Sequence, residues 1–264
     1  MLMVVKNQIK VTLLSIKYGL MRQMLNKTTF ITNILFMLLN NASFILQWVI
    51  LYSLKDNIGG YTFKQVLLLW GIAAGTYGFS HFFFKRVYSL SEIINTGKLD
   101  ASIIQPKNVL LSVITSDVEA SALGDLLYGY IMLFICDLSI TSILLFTLFI
   151  ICGGIIMTSI AIIYGSLAFW FNNTEMLADT GNSLMVNFAT YPDGIFKGVV
   201  KTLFYTIIPI GFSNYIPVQI LTKFNILSLL IVIGVTAFIL FIAVTIFYKG
   251  LKNYSSSNLM SARI

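Results

Sequence analysis

The sequence has little charge, and that scarcity decides its class. Only 10% of its 264 residues are charged, whereas 58% are hydrophobic. A soluble domain has about 25% charged and about 45–50% apolar residues. Charges this sparse cannot cover the surface of a water-soluble globule, and a chain this apolar is not a disordered one. The composition therefore predicts a polytopic membrane protein.

Groups that carry catalysis are also scarce. The chain has one histidine and two cysteines, too few for a disulfide framework or a Ser–His–Asp or Cys–His constellation. His81 stands beside three phenylalanines, and we interpret it as a packing residue rather than a proton relay. Neither the H-E-x-x-H zinc motif nor the G-x-x-x-x-G-K-[ST] phosphate loop occurs. We therefore expect that the chain has no catalytic residues and no metal site and that it is not an enzyme.

The sequence contains long apolar runs instead of such motifs. A helix that crosses a bilayer needs about 20 apolar residues, and four runs reach that length. A fifth run, 117–138, carries acids in its first half, and the region 172–224 must hold one more span, either 174–190 or 197–216. The expected fold is all-α, with six transmembrane helices in a single domain over residues 1–264. The four clear runs are Thr29–Leu51, Val66–Phe84, Thr141–Phe171 and Ile226–Tyr248.

The basic residues predict the orientation. Twelve of the 17 lysines and arginines lie in the first 28 residues, in the loop after the second run or in the tail. They fall on one side if both termini are cytoplasmic, as the positive-inside rule requires. The formal net charge of +7 is then explained by topology and anionic lipid, not by nucleic acid. The twelve are Lys6, Lys10, Lys17, Arg22, Lys27, Lys85, Arg86, Lys98, Lys107, Lys249, Lys252 and Arg263.

The first 28 residues predict an amphipathic helix. Three lysines share one face at helical spacing and four apolar residues share another. Such a helix suits the cytoplasmic headgroup layer, although a packed helix leading into the first span is an equal alternative. The lysines are Lys6, Lys10 and Lys17, and the apolar residues are Val5, Ile9, Ile16 and Leu20.

The longest polar connection, residues 85–116, is expected on the cytoplasmic side. Ser91 or a neighbour would cap a short helix that extends to Ile94, and Gly97 would end it. Pro106 interrupts the chain before the next helix. Five apolar residues could form a knob for a cytoplasmic partner, or the loop could pack against its own bundle. They are Ile93, Ile94, Leu99, Ile103 and Ile104.

Polar residues inside apolar runs are candidates for a translocation pathway. Asp117 and Glu119 stand near a helix N-terminus, which favours acids, but Asp125 lies two turns deeper, where an ionisable group is costly and by default functional. Alternatively, Asp125 pairs with a lysine or a neighbouring helix. Residues 172–190 predict a helix with a polar stripe, lying at the interface or facing a pathway or partner subunit. The stripe is Asn172, Glu175, Asp179, Asn182, Ser183 and Thr190, opposite Leu177, Leu184 and Phe188.

A face of small residues on the second run, with Gly71, Gly75 and Gly78, predicts close helix packing,. Ordinary packing within the chain explains it adequately.

Three stretches in chain order carry a resemblance. They are Ile94-Asn-Thr-Gly-Lys-Leu-Asp-Ala-Ser-Ile-Ile-Gln-Pro106, then Tyr191-Pro-Asp-Gly-Ile-Phe196 with Ile208-Pro-Ile-Gly-Phe-Ser-Asn-Tyr-Ile-Pro217, and the tail 250–257. Together they resemble the permease subunits of type-2 ABC exporters, and more narrowly the small six-span branch that includes viologen-exporter-like proteins. The sequence departs from the pattern of that branch at two places. Asp193-Gly194 stands where an apolar-polar pair is more usual, and Gln105 stands where a basic residue is expected.

The resemblance implies a half-transporter. It would assemble with a second permease, identical or a sister subunit, and with a pair of ATPase subunits that hold ATP and Mg²⁺, so this chain would hold no cofactor. It would export an amphipathic compound: a drug, an antimicrobial peptide or a lipid-like molecule. The resemblance also assigns a loop that couples the ATPase to the spans. Its residues are Glu92, Gly97, Lys98, Asp100, Gln105 and Pro106.

By the same resemblance, residues 191–222 would form an external re-entrant hairpin, which makes 174–190 the fifth span. The hairpin would begin at Tyr191 and break at Pro192, Pro209 and Pro217. Two alternatives belong to other classes. One is a proton-coupled secondary carrier that uses Asp125, Glu175 and Asp179 as coupling groups. The other is a membrane immunity or assembly protein that transports nothing.

Overall fold

A computed structural model describes residues 2–171 and 174–255. These residues form α-helices and short turns and contain no β-strand, which confirms the all-α prediction. Asn172, Arg263 and the end of the tail motif, used in the predictions above, lie outside the described residues, as does the side chain of Val5.

Twelve α-helices are found in the described part of the chain. They are α1 (Leu2–Gln23), α2 (Lys27–Leu54), α3 (Phe63–Phe84), α4 (Leu90–Asn95), α5 (Asp100–Ile103), α6 (Val109–Ile114), α7 (Ala122–Cys136), α8 (Ile140–Ser166), α9 (Glu175–Ala189), α10 (Gly198–Thr206), α11 (Ile216–Thr222) and α12 (Ile226–Leu251). Short 3₁₀ turns lie at Lys85–Ser89, Leu167–Phe169 and Asp193–Ile195, and a π-helical turn lies at Gly211–Tyr215.

Four of the described helices are long and apolar enough to cross a bilayer: α2, α3 with its continuation to Asn95, α8 with its continuation to Phe169, and α12. These match the four predicted runs. Helix α7 is apolar but has only 15 residues, and it begins at Ala122 rather than at residue 117. Helix α10 and the segment Gly211–Thr222 are bent by 76° and count as a fifth crossing only if taken as one span. The count of six spans stays a prediction.

The bundle has two ends, and α9 extends between them. We call the end with Arg22, Lys85 and Lys98 the basic end, and the end with Lys64, Asp137 and Asp193 the far end. At the basic end, Asn95 Nδ2 donates to Glu175 Oε1 of α9 at 3.3 Å. After α9, the ring of Tyr191 lies 6.0 Å from that of Trp48, near the far end of α2.

Helices α10 and α11 stay near the far end. The hydroxyl of Tyr205 in α10 donates to Asp193 Oδ2 at 3.2 Å. Thr222 of α11 lines a surface pocket together with Lys64 and Asp137. The chain from residue 191 to 222 therefore begins and ends on the same side of the bundle.

Helix α3 is the centre of the bundle and packs closely on α7. A Cβ atom at Gly129 of α7 would lie 2.7 Å from the carbonyl oxygen of Gly71, and one at Gly78 would lie 2.8 Å from that of Ala122. Only glycine permits this approach of two backbones. The small-residue face on the second run is thus explained by packing within the chain.

Buried polar side chains fix the basic half of α3. Ser80 Oγ lies 2.7 Å from both Tyr88 Oη and Thr158 Oγ1. The His81 ring is stacked between Tyr77 and Tyr88, with centroid distances of 3.7 and 4.0 Å. His81 therefore packs as expected.

Helix α1 packs against the residues that precede α7. Arg22 pairs with Asp117 at 2.5 Å, Ser15 Oγ donates to Thr115 O at 2.8 Å, and Gln23 accepts from Ala120 N at 2.8 Å. These contacts agree with a packed helix leading into the first span. Its position at the headgroup layer stays a prediction.

Two local predictions need correction. The N-cap position of α4 is held by Ser89, a neighbour of Ser91, but its side chain makes no cap hydrogen bond. Ser91 lies within α4, and its hydroxyl donates to Gly165 O at 3.4 Å. Pro217 does not break the chain, because it lies in the first turn of α11, where a missing N–H costs little,. Gly97, by contrast, has φ +73° and follows α4 as predicted,.

Candidate functional site

A cavity of about 450 Å³ lies inside the bundle. Its walls come from α2, α3, α7, α8 and α9 and from the π-helical turn. Exposed residues of α2 and α9, Asn40, Gln47 and Asn187, stand along one edge. The cavity is therefore open between these two helices. The other lining residues are Met37, Asn41, Phe44, Trp70, Ala73, Ala74, Thr76, Tyr77, Asp125, Met157, Met185, Val186, Ala189, Thr190, Tyr191, Ser213 and Asn214.

Asp125 is the acid of this cavity. It lies in the first turn of α7, and the residue is only 2% exposed. Asn41 Nδ2 donates to Asp125 Oδ1 at 2.6 Å and also to Met37 O at 3.1 Å. Asp125 thus bonds to a neighbouring helix and not to a lysine. Its second oxygen, Oδ2, has no hydrogen-bond partner among the described residues.

Other buried polar atoms of the lining share this property. Thr76 Oγ1, Asn214 Nδ2 and Trp70 Nε1 lack a partner within the described part of the chain. Thr76 is 4% and Asn214 2% exposed. Buried polar groups in proteins are nearly always hydrogen-bonded, and leaving one unpaired costs about 1–3 kcal/mol. Several residues of one cavity lining therefore carry a buried polar atom without a partner among the described residues.

Aromatic rings form much of the apolar wall. The rings of Phe44 and Trp70 are stacked with centroids 5.6 Å apart. Tyr77 and Tyr191 stand elsewhere on the lining. Aromatic walls with a few polar groups are typical of sites for small organic molecules.

The predicted coupling loop forms a folded segment at the basic end. Three of its apolar residues, Ile93, Ile94 and Leu99, are buried against α8 and α12. Ile103 and Ile104 are 41% and 83% exposed. The first half of this loop therefore packs against its own bundle, which was one of the two interpretations. The second half has an exposed apolar tip, as the interpretation with a cytoplasmic partner requires.

Charged residues of this segment are held by specific contacts. Lys98 Nζ lies 2.5 Å from Glu92 Oε1, and the Tyr254 hydroxyl donates to Asp100 Oδ1 at 2.8 Å. The ring of Tyr254 also lies against Phe169. The tail thus ties α5 to the basic ends of α8 and α12. Gln105 and Pro106 are exposed beside the apolar tip.

Helix α9 joins this segment to the cavity. Its first residue, Glu175, bonds to Asn95 of α4, and its last turns line the cavity with Met185, Asn187 and Ala189. A displacement of α4 would therefore reach the cavity through one helix.

The structure separates the predicted pathway residues. Asp125 lines the cavity, whereas Glu175 and Asp179 are exposed on α9 and do not. Asn182 has a buried Oδ1 atom without a partner among the described residues, but it lies away from the cavity. Helix α9 packs on the bundle through a stripe of small residues that differs from the predicted polar stripe. These are Ala178, Gly181 and Ala189, with Met185 between them.

Sequence reasoning also missed Asn41, which bonds to Asp125, and Thr76, which lines the same cavity. Asn41 follows Asn40 inside the first apolar run, and Thr76 lies inside the second. Asn214 falls in the second of the three resembling stretches. A polar residue inside a predicted span was the available signal for Asn41 and Thr76.

The far end carries the residues of the predicted re-entrant region. Asp193 is 6% exposed and pairs with Lys201 at 2.9 Å. Gly194 lies against the backbone of Gly59, so closely that a side chain would collide with it. The departure Asp193-Gly194 from the resembled pattern thus has a structural reason: the buried Asp193 carboxylate pairs with the exposed Lys201, and Gly194 makes a close backbone contact. Pro192 begins this turn and Pro209 stands at the bend after α10.

A family model described as "ABC-2 family transporter protein" matches residues 38–258 of the chain. This range includes every lining residue of the cavity except Met37, the predicted coupling loop and residues 191–222, and it leaves out α1. No curated protein and no solved structure matches the chain.

Proposed function

Because the chain belongs to the ABC-2 transporter family, in which it is a membrane component, we propose that it is the permease subunit of an ATP-driven exporter. Its cargo would be an amphipathic compound: a drug, an antimicrobial peptide or a lipid-like molecule. The ATP and Mg²⁺ would be bound by a separate pair of ATPase subunits. A second permease, identical or a sister subunit, would complete the transporter.

In this proposal the basic end faces the cytoplasm. Helices α2, α3, α7, α8, α9 and α12 cross the membrane, both termini are cytoplasmic, and α10 and α11 form the external re-entrant hairpin. The short helix α7 can take part because other helices cover much of its length, and α9 contributes a buried stripe of small residues. The positive-inside rule supports this orientation.

The connection made by α9 is the observation that carries the proposal. It begins in a hydrogen bond with the coupling segment and ends in the wall of a cavity with unpaired polar atoms. A transporter driven by a cytoplasmic ATPase must couple the ATPase to its ligand site, and packed side chains and rigid helices carry such coupling.

The exposed apolar tip supports an ATPase partner. Ile104 is 83% exposed next to Gln105 and Pro106, at the end that carries most of the basic residues. A protein interface buries its apolar anchor in a pocket of the partner. We assign Ile104 to the surface that docks on the ATPase.

The experiment is affinity purification of the full chain in mild detergent, followed by transport in proteoliposomes. A nucleotide-binding subunit should co-purify with the wild type and with Ile104→Leu, which keeps the apolar tip, but not with Ile104→Glu. Transport should require hydrolysable ATP. If no such subunit is recovered under any mild condition, the proposal fails.

The proton-coupled alternative has its own outcome in the same experiment. Transport that continues without ATP and stops when the proton gradient is collapsed would assign the work to a secondary carrier. If cells that carry the chain were fully resistant to a toxic compound while the chain transported nothing, the chain would instead have an immunity or assembly role.

A further inference from the structure

We infer that the cavity binds the protonated amine of its ligand, so that the exported compounds are amines with an N–H group on an aromatic or apolar body. This inference rests on the proposed function and adds the chemical class of the substrate. It is carried by the position of Asp125 and of an aromatic wall in the lining of the same cavity.

The charge of the lining favours a cation. Asp125 is the one carboxylate among the described residues that line the cavity, and no lysine, arginine or histidine is among them. A buried carboxylate without a charged partner is costly, and a cation in the same cavity reduces that cost. An anionic ligand would meet like charge at Asp125.

The hydrogen bonds favour an amine over other cations. Asp125 Oδ2 has no partner among the described residues, and it can accept. A primary ammonium carries three donors, and charge-assisted bonds to a carboxylate are stronger than neutral ones. A quaternary ammonium has no N–H and would leave this oxygen unpaired.

The apolar wall suits an aromatic or apolar body. Trp70, Phe44 and Tyr77 supply aromatic rings to the lining, and aromatic rings attract a cation. Two methionines, Met157 and Met185, complete this side, and their flexible side chains adapt to ligands of different shape. A cavity of about 450 Å³ is within the range of small-molecule sites.

The test compares three fluorescent probes on the purified full-length chain in lipid nanodiscs, without ATP. The probes are dansylcadaverine, which has a primary amine, its N,N,N-trimethyl analogue, and the analogue with a hydroxyl in place of the amine. We expect the primary amine to bind about tenfold or more tightly than either analogue. Equal affinity for the trimethyl analogue would overturn the inference, and this measurement needs no variant.

Asp125→Asn gives the residue-level test. The new amide oxygen can still accept from Asn41 Nδ2, so the bond between α2 and α7 is kept, while the negative charge is lost. Binding of dansylcadaverine should weaken by about tenfold or more, and the hydroxyl analogue should bind as before. The matched control is Asp137→Asn, which removes an acid at the far end, and it should bind all three probes like the wild type. Unchanged amine binding by Asp125→Asn contradicts the inference.

The result is separable from the proposed function. Binding is measured without the ATPase subunits, whereas the proposed function is judged by their co-purification and by ATP-dependent transport. Weak amine binding together with ATP-dependent transport would reject only the substrate class. Selective amine binding in a chain that never recovers an ATPase would reject only the exporter.

Discussion

Helices α3 and α12 are both apolar and of membrane-spanning length, yet they occupy opposite environments. In the stretch that contains α3, 78% of the residues of the apolar window are buried inside the protein, whereas the value for α12 is 17%. The buried helix is the less hydropathic of the two, and the exposed one has the highest mean hydropathy of the four long helices.

The difference has a physical reason. An outward face in a membrane protein meets hydrocarbon, so α12 must be apolar all round. Helix α3 meets other helices, and close packing there requires small residues and tolerates paired polar ones. Between these two helices, the higher hydropathy thus belongs to the peripheral one, and the glycine and hydroxyl residues of α3 belong to the central one.

The largest expected effect tests that packing. Gly129→Leu in α7 would place a Cβ atom 2.7 Å from Gly71 O of α3. We expect a loss of stability at the upper end of, or above, the about 1–3 kcal/mol typical of overpacking, because two backbones would have to separate. Thermal unfolding of the purified protein measures it.

Gly234→Leu in α12 is the matched control. A Cβ atom there meets no described atom within 4 Å, so its unfolding temperature should stay close to that of the wild type. If both variants lose stability equally, the contrast between centre and periphery is wrong.

A smaller effect is expected at the buried hydroxyls of α3. Ser80→Ala would remove the shared partner of Tyr88 and Thr158, each 2.7 Å away, and we expect a loss of about 1–3 kcal/mol. Thr245→Ala in α12, whose hydroxyl donates to Phe241 O of its own helix, should change stability by less than about 0.5 kcal/mol. Equal effects in thermal unfolding would show that position in the bundle does not matter.

A still smaller effect concerns the far end of α8. Hydrogen bonds from the Ser142 hydroxyl and the Ser139 backbone to Asp137 hold the pKa of that carboxyl below its usual range. Because the pKa is lower in the folded protein, this stabilisation is present above the ordinary aspartate pKa and is lost as the pH falls through the lowered one. We expect a slight drop of the unfolding temperature in this acidic range. Asp137→Asn should remove this part of the pH dependence, and an unchanged profile would contradict the assignment.

Substitutions in the predicted coupling loop, residues 85–116, should change stability least but transport strongly. Charge reversal of Lys98 and Asp100 together, as Lys98→Glu with Asp100→Lys, should separate ATP hydrolysis from export while membrane abundance stays near wild type. Exposed ion pairs contribute about 0–1 kcal/mol, so the fold should persist. The ratio of transport to ATP hydrolysis in proteoliposomes measures the effect, and a normal ratio would count against a coupling role.

Local features of the fold were predictable from the sequence. The four long runs were found because hydropathy is a property of neighbouring residues, and the turn at Gly97 was found because a left-handed residue after a short helix favours glycine. The break expected at Pro217 was wrong, because proline also fits the first turn of a helix, and the sequence does not distinguish the two positions.

The candidate site was predictable only in part. Asp125 could be singled out because it is a lone acid in an apolar run. The polar residues that line the same cavity, Asn41, Thr76 and Asn214, come from α2, α3 and the π-helical turn, which are far apart along the chain. The five apolar residues of the coupling loop looked alike by spacing. Packing against α8 and α12 covers Leu99 and leaves Ile104 exposed.

The sequence by itself determined that this is a helical membrane protein, because scarce charge and long apolar runs are properties of composition and local order. It also supplied the residues that permit close packing. Only the tertiary structure decided which helix is central, which acids are paired and which polar atoms meet around one cavity. Those outcomes depend on contacts between distant segments, and hydropathy along the chain carries no information on which segments meet.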